Sequence, residues 1–423
     1  MSCCVAQREE APVFRQKLEV ADVFWTHLDR VHKLSPAQAQ VVWDICACRT
    51  KLLGGHVFSC DSCKHKENSY NSCGDRHCPK CQALVKARWL EAQKANLLPI
   101  QYFHVVFTIP HVLNQLALRN KRKVYSILFR AASETLHEVS ATRLGARIGF
   151  TAILHSWSQT VAFHPHLHCV VTGGGLSPEG DRWRHCHGKF FLPVLVLSAV
   201  FRGKFLQYLE QAYDNGELEF SGEIWHLADP ELFKRLLIKA AGTGWVVYAK
   251  EPFSRPEDVL EYFSRYVHRV AIANHRLVSM KDGIVTFRYR DYADNDTAKL
   301  MSLSAGEFLR RFLLHVLPKR FMRIRHYGLL SNRNRKYLLP LCRMLLGAEQ
   351  NRPEPPEDWR ELLHRLSGKD MTLCPKCGKG HMVRGRRLLP QRIEVFARYR
   401  YNNSSCRGSA TLTPLVRGLT PLL

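Results

Sequence analysis

Phe163-His164-Pro165-His166-Leu167-His168-Cys169-Val170-Val171-Thr172, running into Gly173-Gly174-Gly175, is the stretch whose reading decides the fold. From His166 onward it has the composition of a strand that ends in a glycine turn, and strand side chains alternate between two faces. His166 and His168 therefore share one face, while Leu167 and Cys169 point to the other. Two imidazoles at that spacing can hold one metal ion jointly through neutral ring nitrogens. A lone His-x-His is also what a histidine-rich surface strand looks like, so its meaning depends on its surroundings.

Immediately upstream, residues 148–155 form a second strand, and the hydrophilic link to 166–172 permits an antiparallel pair that brings His155 towards His166 and His168. Residues 101–109 have strand composition and stop at Pro110, and residues 111–140 carry Val124, Ile127, Leu128 and Ala131 on one helical stripe. Downstream, residues 194–241 are mainly helical and residues 245–249 are a buried strand. Residues 283–292 alternate as a further strand, with Thr286, Arg288 and Arg290 against Val285, Phe287 and Tyr289.

Between the last two lies Ser254-Arg255-Pro256-Glu257, a capping box with proline in the first turn, which predicts a helix over about 256–272. Tyr262 and Tyr266 are four apart on it and share a face, beside a core stripe of Leu260, Phe263, Val267 and Val270. Arg265 and Arg269 fall in the same sector, so two phenols flanked by two guanidiniums offer a place for a phosphodiester; the alternative is that both rings extend the core edge. Phenol, with a pKa of about 10, is a poor nucleophile near neutrality. It becomes useful where a metal polarises the phosphate under attack, which His166 and His168 would supply.

The chain has 423 residues and a formal charge of +25, with a pI near 9.7. That excess implies a polyanionic partner, nucleic acid before an anionic membrane surface. With 46% apolar residues the chain is globular, and no apolar run approaches the ~20 residues of a spanning helix, so a membrane protein is not expected. Arg8, Glu9 and Glu10 follow the first residues at once, leaving no room for a signal peptide. Fifteen cysteines then read as thiolate–metal chemistry in a cytoplasmic, nucleic-acid-facing protein.

The cysteines concentrate after a helical region at 13–53, in which Val20, Val23, Phe24, His27, Leu28 and Val31 recur at helical spacing and Ser35-Pro36-Ala37-Gln38 opens a second helix. Cys60-x2-Cys63 and Cys78-x2-Cys81 are two knuckles on a short loop, the pattern of a tetrahedral structural zinc site. Cys60, Cys63, Cys78 and Cys81 are the simplest ligand set, with Cys73 and His77 as substitutes. Cys374 and Cys377 form half of another knuckle with no obvious partner pair. Lys64, Lys66, Arg76 and Lys80 give the first module a basic surface suited to phosphate. Residues 319–337 interleave basic residues with Phe321, Tyr327 and Tyr337, as where phosphates are neutralised and unstacked bases rest on rings; a solvated basic face is the plainer reading.

Taken in order, these motifs resemble a known family, the bacterial rolling-circle transposases of the insertion-sequence family numbered ninety-one, within the HUH endonuclease superfamily. The resemblance covers roughly residues 15–385. It is carried by Cys48-Arg49-Thr50 with Leu53-Gly54-Gly55-His56, Tyr70-Asn71-Ser72-Cys73, Arg76-His77-Cys78-Pro79-Lys80-Cys81-Gln82, His164-Pro165-His166-Leu167-His168, Tyr262-Phe263-Ser264-Arg265-Tyr266 and Arg323-Ile324-Arg325-His326-Tyr327-Gly328. It implies an α+β fold with a five-stranded antiparallel sheet flanked by helices and preceded by a helical zinc-binding domain. It also implies structural Zn²⁺, Mg²⁺ or Mn²⁺ at the histidines, and cleavage and rejoining of single-stranded DNA at the element ends and target through 5′-phosphotyrosine links.

On that resemblance Tyr262 and Tyr266 are the nucleophiles, and His166 and His168 are metal ligands. His155 lies where related relaxases take a third histidine, with His164 the competing choice. Arg265, Arg269, Arg323, Arg325 and Tyr327 are the expected DNA contacts. The expected domains are 1–98 for the helical zinc-binding region, 99–345 for the catalytic domain, and 346–423 for a linker, the half knuckle and a poorly ordered tail. The competing functions are a replication initiator or relaxase of the same chemistry, and a non-enzymatic zinc-dependent DNA-binding regulator.

Overall fold

The computed structural model describes residues 18–391 apart from 32, 187–191, 250–252, 254–257, 260–261, 264–269, 292–293, 350–357 and 369. The tail lies outside the described residues, as do Arg265, Tyr266 and Arg269. The chain opens with α1 (Val20–His27) and α2 (Pro36–Ala47). α2 starts as its sequence dictates: Gln38 N–H donates to Ser35 Oγ at 3.3 Å, and Ser35 N–H donates to Gln38 Oε1 at 2.9 Å, a reciprocal cap ahead of Pro36. A hairpin of β1 (Gly55–Cys60) and β2 (Lys66–Tyr70) follows, then α3 (Gln82–Lys94) and β3 (Tyr102–Thr108). Next come α4 (Asn114–Arg119), α5 (Lys121–Arg143), β4 (Gly149–Trp157), β5 (Phe163–Thr172), β6 (Gly174–Leu176) and β7 (Trp183–His185). The helices α6 (Val194–Asp214) and α7 (Pro230–Gly242) lead to β8 (Val247–Ala249). The described chain ends with β9 (Leu277–Lys281), β10 (Ile284–Asp291), β11 (Thr297–Ser304), α8 (Ala305–Leu314), β12 (Ile324–Gly328), α9 (Arg335–Leu345), α10 (Trp359–Ser367) and β13 (Met382–Leu388).

The central sheet has five strands in the order β12-β4-β5-β3-β8, with every neighbouring pair antiparallel. The histidine strand β5 is its middle strand. Alternation divides the sheet cleanly. Leu167, Cys169 and Val171 of β5, Phe103, Val105 and Phe107 of β3, and Phe150, Ala152 and Leu154 of β4 join one apolar core with residues of α5, α6 and α7. Each fully buried Phe or Leu there contributes about 1.5–3 kcal/mol of transfer free energy. The opposite face carries the histidines. Gly328 closes β12 at φ 58°, and a Cβ there would stand 1.9 Å from the Ile148 carbonyl oxygen, so the turn off this edge strand requires glycine.

Segments far apart in the chain share sheets and cores. β13 pairs with β1 in a sheet of order β13-β1-β2, so the segment assigned to a separate C-terminal unit folds back onto the zinc-binding region. Likewise the sheet β9–β11 and α8 pack on α1 and α2: Val20, Phe24, Val41 and Ile45 share a core with Val285, Phe287, Phe308 and Phe312. The Phe24 and Phe312 rings meet edge-on with centroids 5.6 Å apart. Helices of eight and ten residues cannot bury an apolar stripe alone, so each takes its partner from a distant part of the chain. Among the described residues no helix is long and apolar enough to cross a membrane.

Candidate active site and metal centres

Strand register assembles the histidine centre. His155 on β4 stands directly opposite His166 on β5, and His168 stands opposite Ile153, so all three imidazoles lie on the face away from the main core. Their ligand nitrogens fall within 4.8 Å of one another. His155 and His168 are buried and His166 is half-buried. His166 Nδ1–H donates to the His164 carbonyl at 2.7 Å, which leaves Nε2 as the lone-pair nitrogen, 3.0 Å from His168 Nε2. Burial, aided by the neighbouring His164, pushes the His166 imidazole down to about 4, so it is neutral, the form that ligates. Trp157 stacks on His155 with centroids 4.7 Å apart and fixes that ring. His164, the competing third ligand, contributes its carbonyl to the centre and not its exposed ring.

A fourth histidine joins the centre from the other side. His104 on β3 is 2% exposed, and its Nε2 lies 2.9 Å from His168 Nδ1. If His168 Nδ1–H donates here, His168 Nε2 keeps its lone pair and faces that of His166 Nε2, the arrangement in which metal-bound histidines are held by an outer partner. The Tyr262 hydroxyl lies 2.6 and 2.7 Å from the two ring nitrogens of His104. Tyr262 is itself buried, against Phe253 at 4.7 Å between ring centroids, in a core shared with Val259 and Phe263. A continuous path, Tyr262–His104–His168, thus leads from a phenol to the three-imidazole cluster. His104 was legible only as a strand residue. Its parity with His168 becomes visible once β3 is known to be the neighbour of β5. Residues 258, 259, 262 and 263 are helical, but the backbone has left the helix by Val270, short of the expected end at 272.

The cysteines depart from the expected ligand set: Cys60, Cys63, Cys78 and Cys81 do not meet. Among the described residues two four-thiol clusters form instead, Cys48 with Cys73, Cys78 and Cys81, and Cys60 with Cys63, Cys374 and Cys377. The β1–β2 hairpin is the reason. Cys48 and Cys73 flank its base and Cys60 and Cys63 sit at its tip, and five steps of ~3.3 Å put the two ends roughly 17 Å apart. At the base, Gly55 lies so close to β2 that a Cβ would meet the Ser69 carbonyl oxygen at 2.1 Å. In the first cluster Cys48 Sγ lies 3.4 Å and Cys73 Sγ 3.6 Å from Cys81 Sγ. Four sulfurs at ~2.3 Å from one zinc stand about 3.8 Å apart, so the cluster is of zinc size. Hydrogen bonds from Cys73 and Cys78 hold the Cys48 thiol down at about 7. His77, the expected substitute, is committed elsewhere: it pairs with Asp75 at 3.0 Å and accepts from Leu317 N–H at 3.2 Å.

The basic stretch is also divided by folding. Residues 324–328 become β12, the sheet edge beside β4. Phe321 is buried against Tyr125 and Phe129, and is therefore not a platform for bases. Arg323, expected on DNA, is 8% exposed, with Nη2 3.5 Å from Gln82 Oε1; burial and the nearby Arg76 push it down to about 10. Arg76 itself donates to the carbonyls of Phe321 and Pro318, and Lys80 pairs with Glu19 at 2.8 Å, so neither is a free basic surface group. Tyr327 stacks on Phe150 at 4.9 Å, whereas Arg325 lies 4.1 Å over the Phe129 ring and lines an open groove of about 410 Å³ with Arg122, Arg320, His326 and Asn332.

Comparison with known proteins fits these motifs. Residues 20–109 match the family model described as "Transposase zinc-binding domain", which is named for IS91, and residues 149–337 match that described as "Putative transposase". "Putative transposase y4qJ" of Sinorhizobium fredii (strain NBRC 101917 / NGR234) is 49% identical over 86% of this chain and 94% of its own length. The transposase for insertion sequence element IS801 of Pseudomonas savastanoi pv. phaseolicola is 28% identical over 86% of this chain and 87% of its own. Among solved structures, the metal-bound conjugative relaxase TrwC in complex with oriT DNA is 16% identical over 26% of this chain and 43% of its own, with a TM-score of 0.23. The chain belongs to the IS91 family of transposases that carry an N-terminal zinc-binding domain.

Proposed function

We propose that this transposase cuts and rejoins single-stranded DNA by attack of a tyrosine hydroxyl on a phosphodiester held at the histidine face of the sheet. The observation that carries the reading is the hydrogen-bonded path Tyr262–His104–His168, which couples a buried phenol to the three-imidazole cluster. His155, His166 and His168 would hold a divalent cation, and the donor set fits one: three ring nitrogens within 4.8 Å of one another, with His166 Nδ1 and His168 Nδ1 engaged outside the cluster. Such an ion supplies Lewis-acid polarisation of a phosphate oxygen. An all-imidazole set suits Mn²⁺ better than Mg²⁺, which prefers oxygen donors.

In the step itself the Tyr262 oxygen bonds to phosphorus and the bond from phosphorus to the 3′ oxygen breaks. The phenol proton leaves to solvent, from which the departing 3′ oxygen takes up a proton to become a free hydroxyl; His104, whose Nε2 accepts from His168 Nδ1–H, donates its Nδ1–H to the Tyr262 oxygen and steadies the phenolate. Attack by that or another 3′-hydroxyl on the phosphotyrosine reverses the sequence and rejoins the strand. Tyr266, four residues on, is the second nucleophile in this reading, which lets one 5′ end be held while another strand is cut. Arg265 and Arg269 steady the phosphates, and Arg122, Arg320 and Arg325 line a groove along β12 for the backbone.

The test mixes purified protein and Mn²⁺ with single-stranded oligonucleotides from the element's ends and looks for denaturant-resistant adducts. Tyr262→Phe and Tyr266→Phe should each retain some single cleavage, and the double variant none. An adduct mapped by mass spectrometry to Tyr289 or Tyr327 would refute the reading.

A further inference from the structure

We infer that Cys60, Cys63, Cys374 and Cys377 form a second structural zinc centre, split between the two ends of the described chain, that clasps the C-terminal segment onto the zinc-binding domain. It goes beyond the cleavage chemistry and does not depend on it. The Cys60 and Cys377 sulfurs are 3.7 Å apart, as are those of Cys63 and Cys374. Both separations match the ~3.8 Å edge of a tetrahedral zinc–thiolate centre and greatly exceed the ~2.05 Å of a disulfide.

Both knuckles have the backbone that thiolate sites need. Cys63 N–H donates to Cys60 Sγ at 3.4 Å and Gly380 N–H to Cys377 Sγ at 3.4 Å, bonds that stabilise the thiolate form and orient it. The knuckles also bond to each other: Asp61 N–H donates to the His381 carbonyl at 3.0 Å, and His381 N–H to Asp61 Oδ1 at 2.9 Å. Gly380 is the point of closest approach, where a Cβ would fall 2.6 Å from Cys60 Sγ. From there β13 runs along β1, Cys60 opposite Met382 and Gly55 opposite Leu388. Cys63 and Cys374 are 311 residues apart in sequence, so the metal would close a very long loop, where a clip has most chain entropy to remove. The family's zinc-binding domain, residues 20–109, contains only half of these ligands.

Cobalt(II) titration of the zinc-depleted full chain tests this, because the near-ultraviolet sulfur-to-cobalt band counts thiolate-bound metal and is blind to metal held by histidines. The band should saturate at two equivalents for the natural chain and at one for Cys374→Ser/Cys377→Ser. Cys374→His, which keeps a fourth ligand, should retain two equivalents. Saturation of the natural chain at one equivalent would overturn the inference, as would a second equivalent that survives in the double-serine variant. Should the double-serine variant lose both equivalents, retention of both in Cys374→His supports the clasp and loss there overturns it.

Discussion

His155, His166 and His168 come from two adjacent strands whose pairing alone superimposes them, whereas each cysteine cluster gathers donors that secondary structure has first driven apart. In the histidine centre the strand period and one antiparallel register do the work. In the cysteine clusters the five-residue strand β2 separates two knuckles that look contiguous, and one knuckle finds its partner 311 residues away. The difference also assigns roles. On the proposed function, the centre on one face of the core sheet, linked to a phenol, carries the chemistry, and the clusters at a hairpin's base and tip, tying strands together, hold the fold.

The largest effects should separate those roles. Cys78→Ser should lower the stability of the N-terminal region by several kcal/mol, since structural zinc binding is itself folding free energy on the order of 10 kcal/mol. His166→Ala should lose adduct formation on the order of 10³-fold, the worth of a Lewis acid, with DNA binding and melting temperature nearly unchanged. A Cys78→Ser protein that melts normally and cleaves poorly would reverse the comparison.

A smaller effect is expected one shell out. His104→Ala should cost cleavage about 10–100-fold, as outer partners of metal ligands do, and should shift the pH profile of the residual activity because the Tyr262 phenolate loses the hydrogen bond that steadies it. An unchanged pH profile would reduce His104 to packing.

His315 is a buried histidine that serves neither centre: it makes hydrogen-bond contacts with the Val161 carbonyl and the Ser156 hydroxyl, and burial pushes it down to about 3. The unfolded chain takes up this proton near pH 6.5 and the folded one does not until about 3, so stability is complete above 6.5 and falls as pH drops. About 2 kcal/mol should be lost by pH 5, at ~1.4 kcal/mol per pH unit. Denaturant titrations should show a flatter profile in His315→Gln; an equally steep one would mean that other groups set the acid limit.

The smallest effect contrasts two arginines two residues apart. Arg325→Ala should reduce the salt dependence of single-strand binding by about one phosphate contact, while Arg323→Ala should destabilise the protein and leave that slope alone. Equal slopes in both variants would remove the groove along β12 from the DNA path.

The histidine centre was legible in the sequence because its information is short-range. Alternation put His166 and His168 on one face, and a second strand eleven residues upstream offered His155. Helix starts were legible for the same reason, as the Ser35–Gln38 cap shows. The stretch 319–337 was not, because an arginine reads as basic whether its guanidinium faces solvent or lies buried, as Arg323 does beside Gln82.

The sequence by itself determined which residue types are offered for the proposed chemistry, the two faces of the central strand, and the family of the chain. Only the tertiary structure decided who meets whom: Cys48 and not Cys60 with Cys78, Cys374 with Cys63, His104 between Tyr262 and His168, and α8 against α1. The periods of helix and strand are fixed by backbone geometry, so they survive in one dimension. Contacts between distant segments are fixed by which apolar faces and donor sets must be buried together, and no local pattern records that choice.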